Sequence, residues 1–547
     1  MASVILNKKK FEREIGRLDE KMQERISLFG TPVEKITDEE IELEIFPNRP
    51  DMLSYEGFKR AFLAFLDKNT GLRKYKLNKP ERDYKVIVES SLKNIRPYTA
   101  CAIVKRLNFD DEKIKELVEI QEKLHLTLGR KRKKVAIGIY PLEKIKLPIT
   151  FKALEPDKIK FIPLESDKEM SGLQILQKHS AGKEYAHLLA GKEKFPIFTD
   201  AGGKILSMPP IINSQLTGKI TNDTKEVFVE CSGFDYLTLK KCLNIIVTIL
   251  ADMKGEIYQM EIFSNKRNKE ITPSLEEEKM KISVENVNKL LGLDLNEKQI
   301  KKLLEKMGYD YNNKIVEIPA WRVDVLHEVD LIEDIAIAYG YENFVPEVPK
   351  ISIGGEENQK EIIKRKISEI LSGLDLLETS SFHLTMKEKQ FRNMNAQSEE
   401  GKAILIKESK TDYNILRNDL SHCLLKIFSE NIDSEYPQKI FEIGRIFSSE
   451  KNEILEKENL AIAITSGNFT ELRQMLEYLF RMLGKDVKIK EPSEFPLHFI
   501  EGRVAEILIN NKKAGFIGEV HPKVLKNWKL KMPVALLEIS LEEIFEN

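Results

Sequence analysis

Apolar residues in this chain recur with two different periods, and the switches between them mark four stretches. In "IELEI" (41–45) every second residue is apolar, as in a strand with one buried face, while the run from Phe58 to Phe65 has helical spacing. The turn between them, "PNRPD", is rigid and polar, and a Lys/Asp/Glu/Pro-rich link, "KYKLNKPERDYK", closes a first domain at about residue 85. Residues 86–270 mix strands ("YKVIVES", "TACAIVKRL", "KEVFVECSG") with helices ("DEKIKELVEIQEKLHLTL", "LTLKKCLNIIVTILADM"). Within them "FPIFTDAGGKILSMPPIINSQLTGKITNDT" reads as a long glycine- and proline-marked loop, a length more often functional than idle. Residues 271–346 spell helix, turn, helix. Ser283 caps the first helix and Gly292 ends it; Asn296 caps the second, with Gln299 as capping-box partner, and Gly308 ends that one. Leu290 and Leu291 should face Ile300, Leu303, Leu304 and Met307 across the turn, and the strand "KIVEIPA" completes a winged-helix-like unit. Residues 347–547 alternate helices ("KEIIKRKISEILSGL") with strands ("PQKIFEIGRIF", "ENLAIAIT", "VAEILINNKKAGFIGEV", "PVALLEIS"), which predicts an antiparallel sheet with helices. The fold class expected is multidomain α+β, with mixed α/β domains at the N-terminal end.

Composition narrows the partners. The 547 residues are 41% hydrophobic, enough for real cores, and 32% charged, yet the net charge is only −1. Nucleic-acid binding must then come from local basic patches, not a global field. Four cysteines without zinc-finger spacing read as reduced and mostly buried. The N-terminal run "MASVILNKKK" sets its apolar residues before its charges, the reverse of a signal peptide. The greasiest stretch, "CLNIIVTILADM", is too short to span a bilayer. A cytoplasmic protein with no membrane partner is expected.

The densest chemistry lies in "WRVDVLHEVDLIEDIAIAYGY" (321–341), with five acids in eleven positions before an apolar helix. Asp330, Glu333 and Asp334 share one helix face, where like charges repel by a few tenths of a kcal/mol per pair. One reading is that the acids merely favour the helix N-terminus. The other starts from the apolar helix behind them: it is greasy on nearly every side and therefore buried, and buried carboxylates need a counter-charge. Arg322 or His327 could supply one charge, and a hard divalent cation such as Mg²⁺, with Asp324 completing the cluster, could supply the rest. A second charged motif is the run Arg130, Lys131, Arg132, Lys133 and Lys134. It is either a solvated loop or a contact to nucleic-acid phosphate. The histidines share no metal spacing and read as structural.

"RVDVLHEVDLIEDIAIAYGY" resembles the metal-containing module of the phenylalanine–tRNA ligase beta-subunit family in its archaeal and eukaryotic form. The resemblance places magnesium ligands on Asp324, Asp330, Glu333 and Asp334 and leaves Glu328 out. It extends along the chain in one order. "FPNRPDMLS" is similar to the family's N-terminal domain. "KKVAIGIY", "FIPLES" and "PPIINSQLTGKITNDTKEVFVECSGFD" are similar to its hydrolytic tRNA-editing domain. "NILRNDLSHCLLKIFSEN", "KIFEIGRIF" and "GFIGEVHPKVLKNWKL" are similar to its C-terminal module, a class II synthetase-like domain without catalysis. No arginine-rich ATP signature appears there, and Glu442 and Arg445 of "FEIGRIF" read as part of a core strand, so no catalytic residue for aminoacylation is expected.

What the resemblance implies is a subunit of an α2β2 heterotetramer. Its alpha subunit attaches phenylalanine to phenylalanine tRNA, with ATP as substrate of the complete enzyme. It also implies editing. A pocket that excludes one hydroxyl discriminates tyrosine imperfectly, so a second site hydrolyses the tyrosyl ester. The residues it points to are Asp235 to accept the tyrosine hydroxyl, Asn213 and Ser214 for the polar wall, and Ile205 and Leu206 for the ring slot. Asp235 reads equally as a helix cap, and Asn213–Ser214 as a turn. The chain departs from the family pattern at Tyr140–Pro141, where His-Asp is usual, and at Phe234, where a small polar residue is usual. A different class of function, a non-enzymatic nucleic-acid-binding helix-turn-helix scaffold, is the alternative; Lys298, Lys301, Lys302 and Lys306 would be its basic face.

Overall fold

A computed structural model of the chain describes residues 2–264, 268–348, 354–450 and 453–545. They form two units, Met1–Val348 and Pro349–Asn547. In the first, Glu40–Ile45 runs between Ala2–Asn7 and Val33–Ile36 in an antiparallel sheet, with Ile41, Leu43 and Ile45 buried on alternate positions. Ser54 caps the helix Tyr55–Phe65. That helix buries Phe58, Phe62 and Phe65 against Phe29, each ring contributing about 1.5–3 kcal/mol of transfer free energy.

The link predicted to close the first domain is instead part of a sheet. Leu77–Asn78 and Lys85–Val88 both pair in parallel with Glu256–Ser264, while Tyr75 donates its hydroxyl to Asp252, 2.7 Å away. The cause is the apolar alternation hidden among the charges, which buries Tyr84, Val86 and Val88. The long loop is also structured. Phe195–Thr199, Ile205–Met208 and Ile212–Asn213 are antiparallel strands. The Asp200 carboxylate closes the first turn by accepting from Lys204 N at 2.8 Å and from Lys146 N at 3.1 Å. Short apolar runs on either side of "DAGG" thus become a hairpin.

The sheet's layering follows from its register. Tyr98–Lys105, Val135–Pro141 and Val227–Gly233 pair antiparallel with Val227–Gly233 in the middle. One face of these strands packs on the helix Tyr236–Asp252; the other, with Cys101, Ile103, Tyr140 and Phe228, packs on strands of the sheet's second half. Two capped helices, Val284–Leu291 and Glu297–Lys306, pack beside a small sheet of Glu278–Lys281, Asp310–Asn312 and Ile315–Ile318. Ser283, Gly292, Asn296 and Gln299 take the expected capping roles, and Gly308 follows the second helix at φ +82°. Leu290, expected to be packed, is exposed; Val287, one turn earlier, is the buried residue of that helix. The largest apolar core of this unit links residues from Val4 to Ala338, and two further clusters fill the second half of the large sheet.

The second unit is a seven-stranded sheet. Its pairs are antiparallel except for the edge strand Leu377–Glu378, which runs parallel to Gln438–Glu450. Helices Gln359–Ser372 and Phe469–Met482 cover one face, and Ser421–Glu430 and Pro522–Asn527 the other. Alternation along Glu453–Thr465 sends Leu460, Ile462 and Ile464 to the first core and Ala461 and Ala463 to the second. Glu442, on a central stretch of strand, is buried with Arg417 at 2.6 Å. The Arg417 guanidinium also donates to the Arg445 carbonyl at 2.8 Å; Gly444 leaves room for it, since a Cβ there would collide with Arg417. All four cysteines are buried and unpaired.

Candidate functional site

Within the first unit, strand register builds a polar cavity. Glu230 lies directly across from Gly138, and Phe228 from Tyr140, so these four positions share one face of the sheet. Tyr140 is wholly buried, its ring stacked on Phe228 at 5.8 Å. Its hydroxyl donates to Ser207 Oγ at 2.8 Å and lies 3.3 Å from Glu230 Oε1 and 3.4 Å from Asn213 Oδ1. Gly138 makes this possible: a Cβ there would collide with the Tyr140 hydroxyl and come within 2.6 Å of Glu230 Oε1.

Beyond the phenol lies a cavity of about 110 Å³ lined by Gln121, His125, Arg132, Asn213 and Glu230, among others. Burial pushes the Glu230 carboxyl up to about 8, against the pull of Arg96, and Glu230 Oε2 has no hydrogen-bond partner among the described residues. A carboxylic acid that stays neutral near pH 7 can both donate to and accept from a hydroxyl. His125 Nε2 accepts from the Ile137 amide at 2.8 Å, which leaves Nδ1 to donate to Glu122 at 3.2 Å; burial holds this imidazole's pKa down. Arg132 donates to Glu122 and to the Ile211 carbonyl, both at 2.8 Å, and lies over the Tyr185 ring. Wrapped in this way, it is a wall of the cavity and not a solvated cation.

Of the five residues expected to form an editing pocket, Asn213 lines this cavity. Ser214 is buried next to it and caps the short helix Gln215–Gly218. Leu206 is buried in the core beneath, while Ile205 is half-buried against a neighbouring cluster. Asp235 stands apart and exposed, capping Tyr236–Asp252; a bond from the Thr238 hydroxyl and backbone amides hold its carboxyl below the usual range. Phe234 is exposed and lies near Arg96. From the sequence Arg132 reads as part of a solvated loop or as a phosphate contact and His125 as a structural histidine, and Glu230 is not singled out at all. The available signal was Glu230 itself, a carboxylate in the middle of an apolar strand.

The acidic residues converge elsewhere in the unit. Asp324, Asp330, Glu333 and Asp334 line one cleft of about 440 Å³ with Arg49 and Tyr341. Buried Arg322 grips Asp324 through two bonds, at 2.7 and 2.8 Å, and Asp334 at 2.8 Å; the Tyr309 hydroxyl also donates to Asp334. Asp330 accepts from the amides of Leu326 and His327 at 2.7 Å, closing a capping box on the helix Glu328–Tyr339, whose N-cap is His327. Glu333 has neither a hydrogen bond nor an ion pair among the described residues. Burial, then repulsion from Asp334, Asp330 and Asp324, raises its carboxyl. Arg49, from "PNRPD", is paired with Asp51 at 2.9 Å and also favours the Asp324 anion across the cleft. Four carboxylates therefore face two guanidinium groups, Arg322, shared by Asp324 and Asp334, and Arg49, shared with Asp51. The donor set is all oxygen, the chemistry of a hard-cation site, but among the described residues no three of these carboxylates are grouped as metal ligands, and two of them already hold Arg322.

In the basic run, Arg130, Lys131 and Lys133 are exposed and Lys134 is half-buried. On the second helix of the small module, Lys306 pairs with Asp67 at 3.0 Å and Lys301 with Glu305 at 3.8 Å, which reduces the basic face a nucleic-acid scaffold would need. Among the described residues, no helix is long and apolar enough to cross a membrane.

Comparison with known proteins covers almost the whole chain. Residues 345–541 match the family described as phenylalanyl tRNA synthetase beta chain CLM domain, and residues 280–341 match the tRNA synthetase B5 domain. A phenylalanine–tRNA ligase beta subunit from Thermococcus sibiricus is 39% identical over 91% of this chain and 90% of its own length. The one from Archaeoglobus fulgidus is 37% identical over 100% and 99%. An N-terminal fragment of the phenylalanyl-tRNA synthetase beta subunit from Pyrococcus horikoshii superposes with a TM-score of 0.59 at 37% identity, covering 62% of this chain and 99% of that one.

Proposed function

The chain belongs to the phenylalanine–tRNA ligase beta-subunit family, and from that premise we propose that it supports charging by an alpha subunit and edits the product. Identity sustained along nearly the full length carries the first part. In this reading an alpha subunit performs the ATP-dependent attachment of phenylalanine to its tRNA, and the second unit described here is an assembly partner in an α2β2 heterotetramer. Support comes from apolar side chains left in solvent on that unit, among them Phe382 and Leu405 at 81% and 69% exposure. Co-expression with the alpha subunit and mass measurement of the purified complex tests this; a beta chain recovered alone would overturn it.

The editing part rests on the cavity around Glu230. Its neutral carboxyl is suited to a phenol hydroxyl, and Asn213 and the fixed His125 are polar groups able to orient an ester and a water without a protein nucleophile. Asp235 keeps its role as a cap. Arg130, Lys131, Lys133 and Lys134 would meet tRNA phosphates, with Arg132 anchoring their turn. Loss of tyrosyl-tRNA hydrolysis in Glu230→Ala, with Asp235→Ala unaffected, is the expected result; the reverse pattern would return the role to Asp235.

Asp324, Asp330, Glu333 and Asp334 would hold Mg²⁺, with the ion balancing the charge that Arg322 leaves unmet. Bound there, the ion supplies cohesion to the cleft and no chemistry to the ester. Glu333, the carboxylate without a partner, is the residue whose loss should most weaken binding.

A further inference from the structure

The group that reads a substrate's phenol is already bonded to a phenol. Tyr140 presents its hydroxyl to Ser207, Glu230 and Asn213, and its ring lies on Phe228 with no exposed surface. The space left beside it, about 110 Å³, is smaller than the roughly 150 Å³ that admits a benzene ring in a protein core. Gly138 is the one strand position whose bare backbone lets that hydroxyl sit against Glu230. Register puts Gly138, Tyr140 and Glu230 on one face of two paired strands, and Ser207 and Asn213 reach the hydroxyl from two further strands.

We propose that Tyr140 is an internal stand-in for the tyrosyl side chain, filling the phenol slot so that a tyrosyl ester enters only when Tyr140 leaves. This rests on reading the cavity as the hydrolytic site, but occupancy of the slot is testable without hydrolysis. Tyr140 competes with substrate at zero distance, and it does so through the same contacts. The chain is thereby slow towards tyrosyl-tRNA by construction, and the remedy is removal of one side chain.

The test uses the full-length chain co-expressed with its alpha subunit. Tyr140→Ala deletes a phenol, so added phenol should bind and raise the unfolding temperature, about tenfold more tightly than benzene because only phenol satisfies Ser207 and Glu230. The native chain should bind neither. Tyrosyl-tRNA hydrolysis should rise in the order native, Tyr140→Phe, Tyr140→Ala, the last by about tenfold or more. Tyr140→Phe keeps the ring stacking and hence the fold, and gives up only the hydroxyl contacts. Equal binding of phenol and benzene overturns the stand-in, as does a Tyr140→Phe variant no faster than native where hydrolysis is measurable. Selective phenol binding with no hydrolysis in any variant supports the stand-in and overturns the editing reading instead.

Discussion

At the scale of single residues, two buried ionisable groups, Glu230 and Arg322, govern how the first unit's stability responds to its surroundings. Glu230 titrates near 8 when folded against an ordinary 4.5, because burial penalises its anion. The folded chain therefore keeps a proton that the unfolded chain has released between those two values. Its contribution to stability falls as pH rises from about 5 to 8 and levels off above. Urea titrations across that range should show the fall in the native chain and a flatter profile in Glu230→Gln; identical profiles would remove the assignment. In the acidic cleft, Arg322 is the partner of both Asp324 and Asp334, and removing one member of a buried pair costs about 3–5 kcal/mol. Arg322→Met should lose stability on that scale, with millimolar Mg²⁺ restoring part of it if the ion belongs there. Asp330 separates capping from ligation. As a cap its replacement by Ala costs about 1 kcal/mol with or without metal; as a ligand the loss appears mainly when metal is present.

At the scale of elements, caps and alternation carry most of the argument. Asn296→Ala removes a reciprocal capping box, and thermal unfolding should register a loss of about 1 kcal/mol. These caps were legible because the side chain that makes each one sits at a fixed offset from its helix. The hairpins inside "FPIFTDAGGKILSMPPIIN" were not, because Asp200 closes the turn through amides that include Lys146, distant in sequence. Leu290 went astray for a similar reason: helical period defines a face, yet the partner surface decides which of Val287 and Leu290 it buries. The acidic cleft is visible in the sequence as a cluster, while the full reach of its counter-ion Arg322 is not, since one guanidinium satisfies two carboxylates only in three dimensions. The cavity was half visible. Tyr140 stood out as a departure, but its bond to Ser207 joins strands that no local pattern connects.

At the scale of the whole chain, each unit has its own cores, so calorimetry should resolve two transitions. Arg417→Met strips the partner from buried Glu442 and should lower the transition of the second unit alone, by about 3–5 kcal/mol. A single transition that moves as one would contradict that independence. The first unit's sheet also imposes an order on its birth. Leu77–Asn78 waits for Glu256–Ser264, to which it pairs, and the core that begins at Val4 closes only with Ala338. At roughly 5–20 residues per second of synthesis, an early strand stands without its neighbour for roughly ten to forty seconds while the ribosome supplies the rest. Throughout that interval the newborn chain carries an unpaired strand edge, the kind of surface through which nascent chains aggregate.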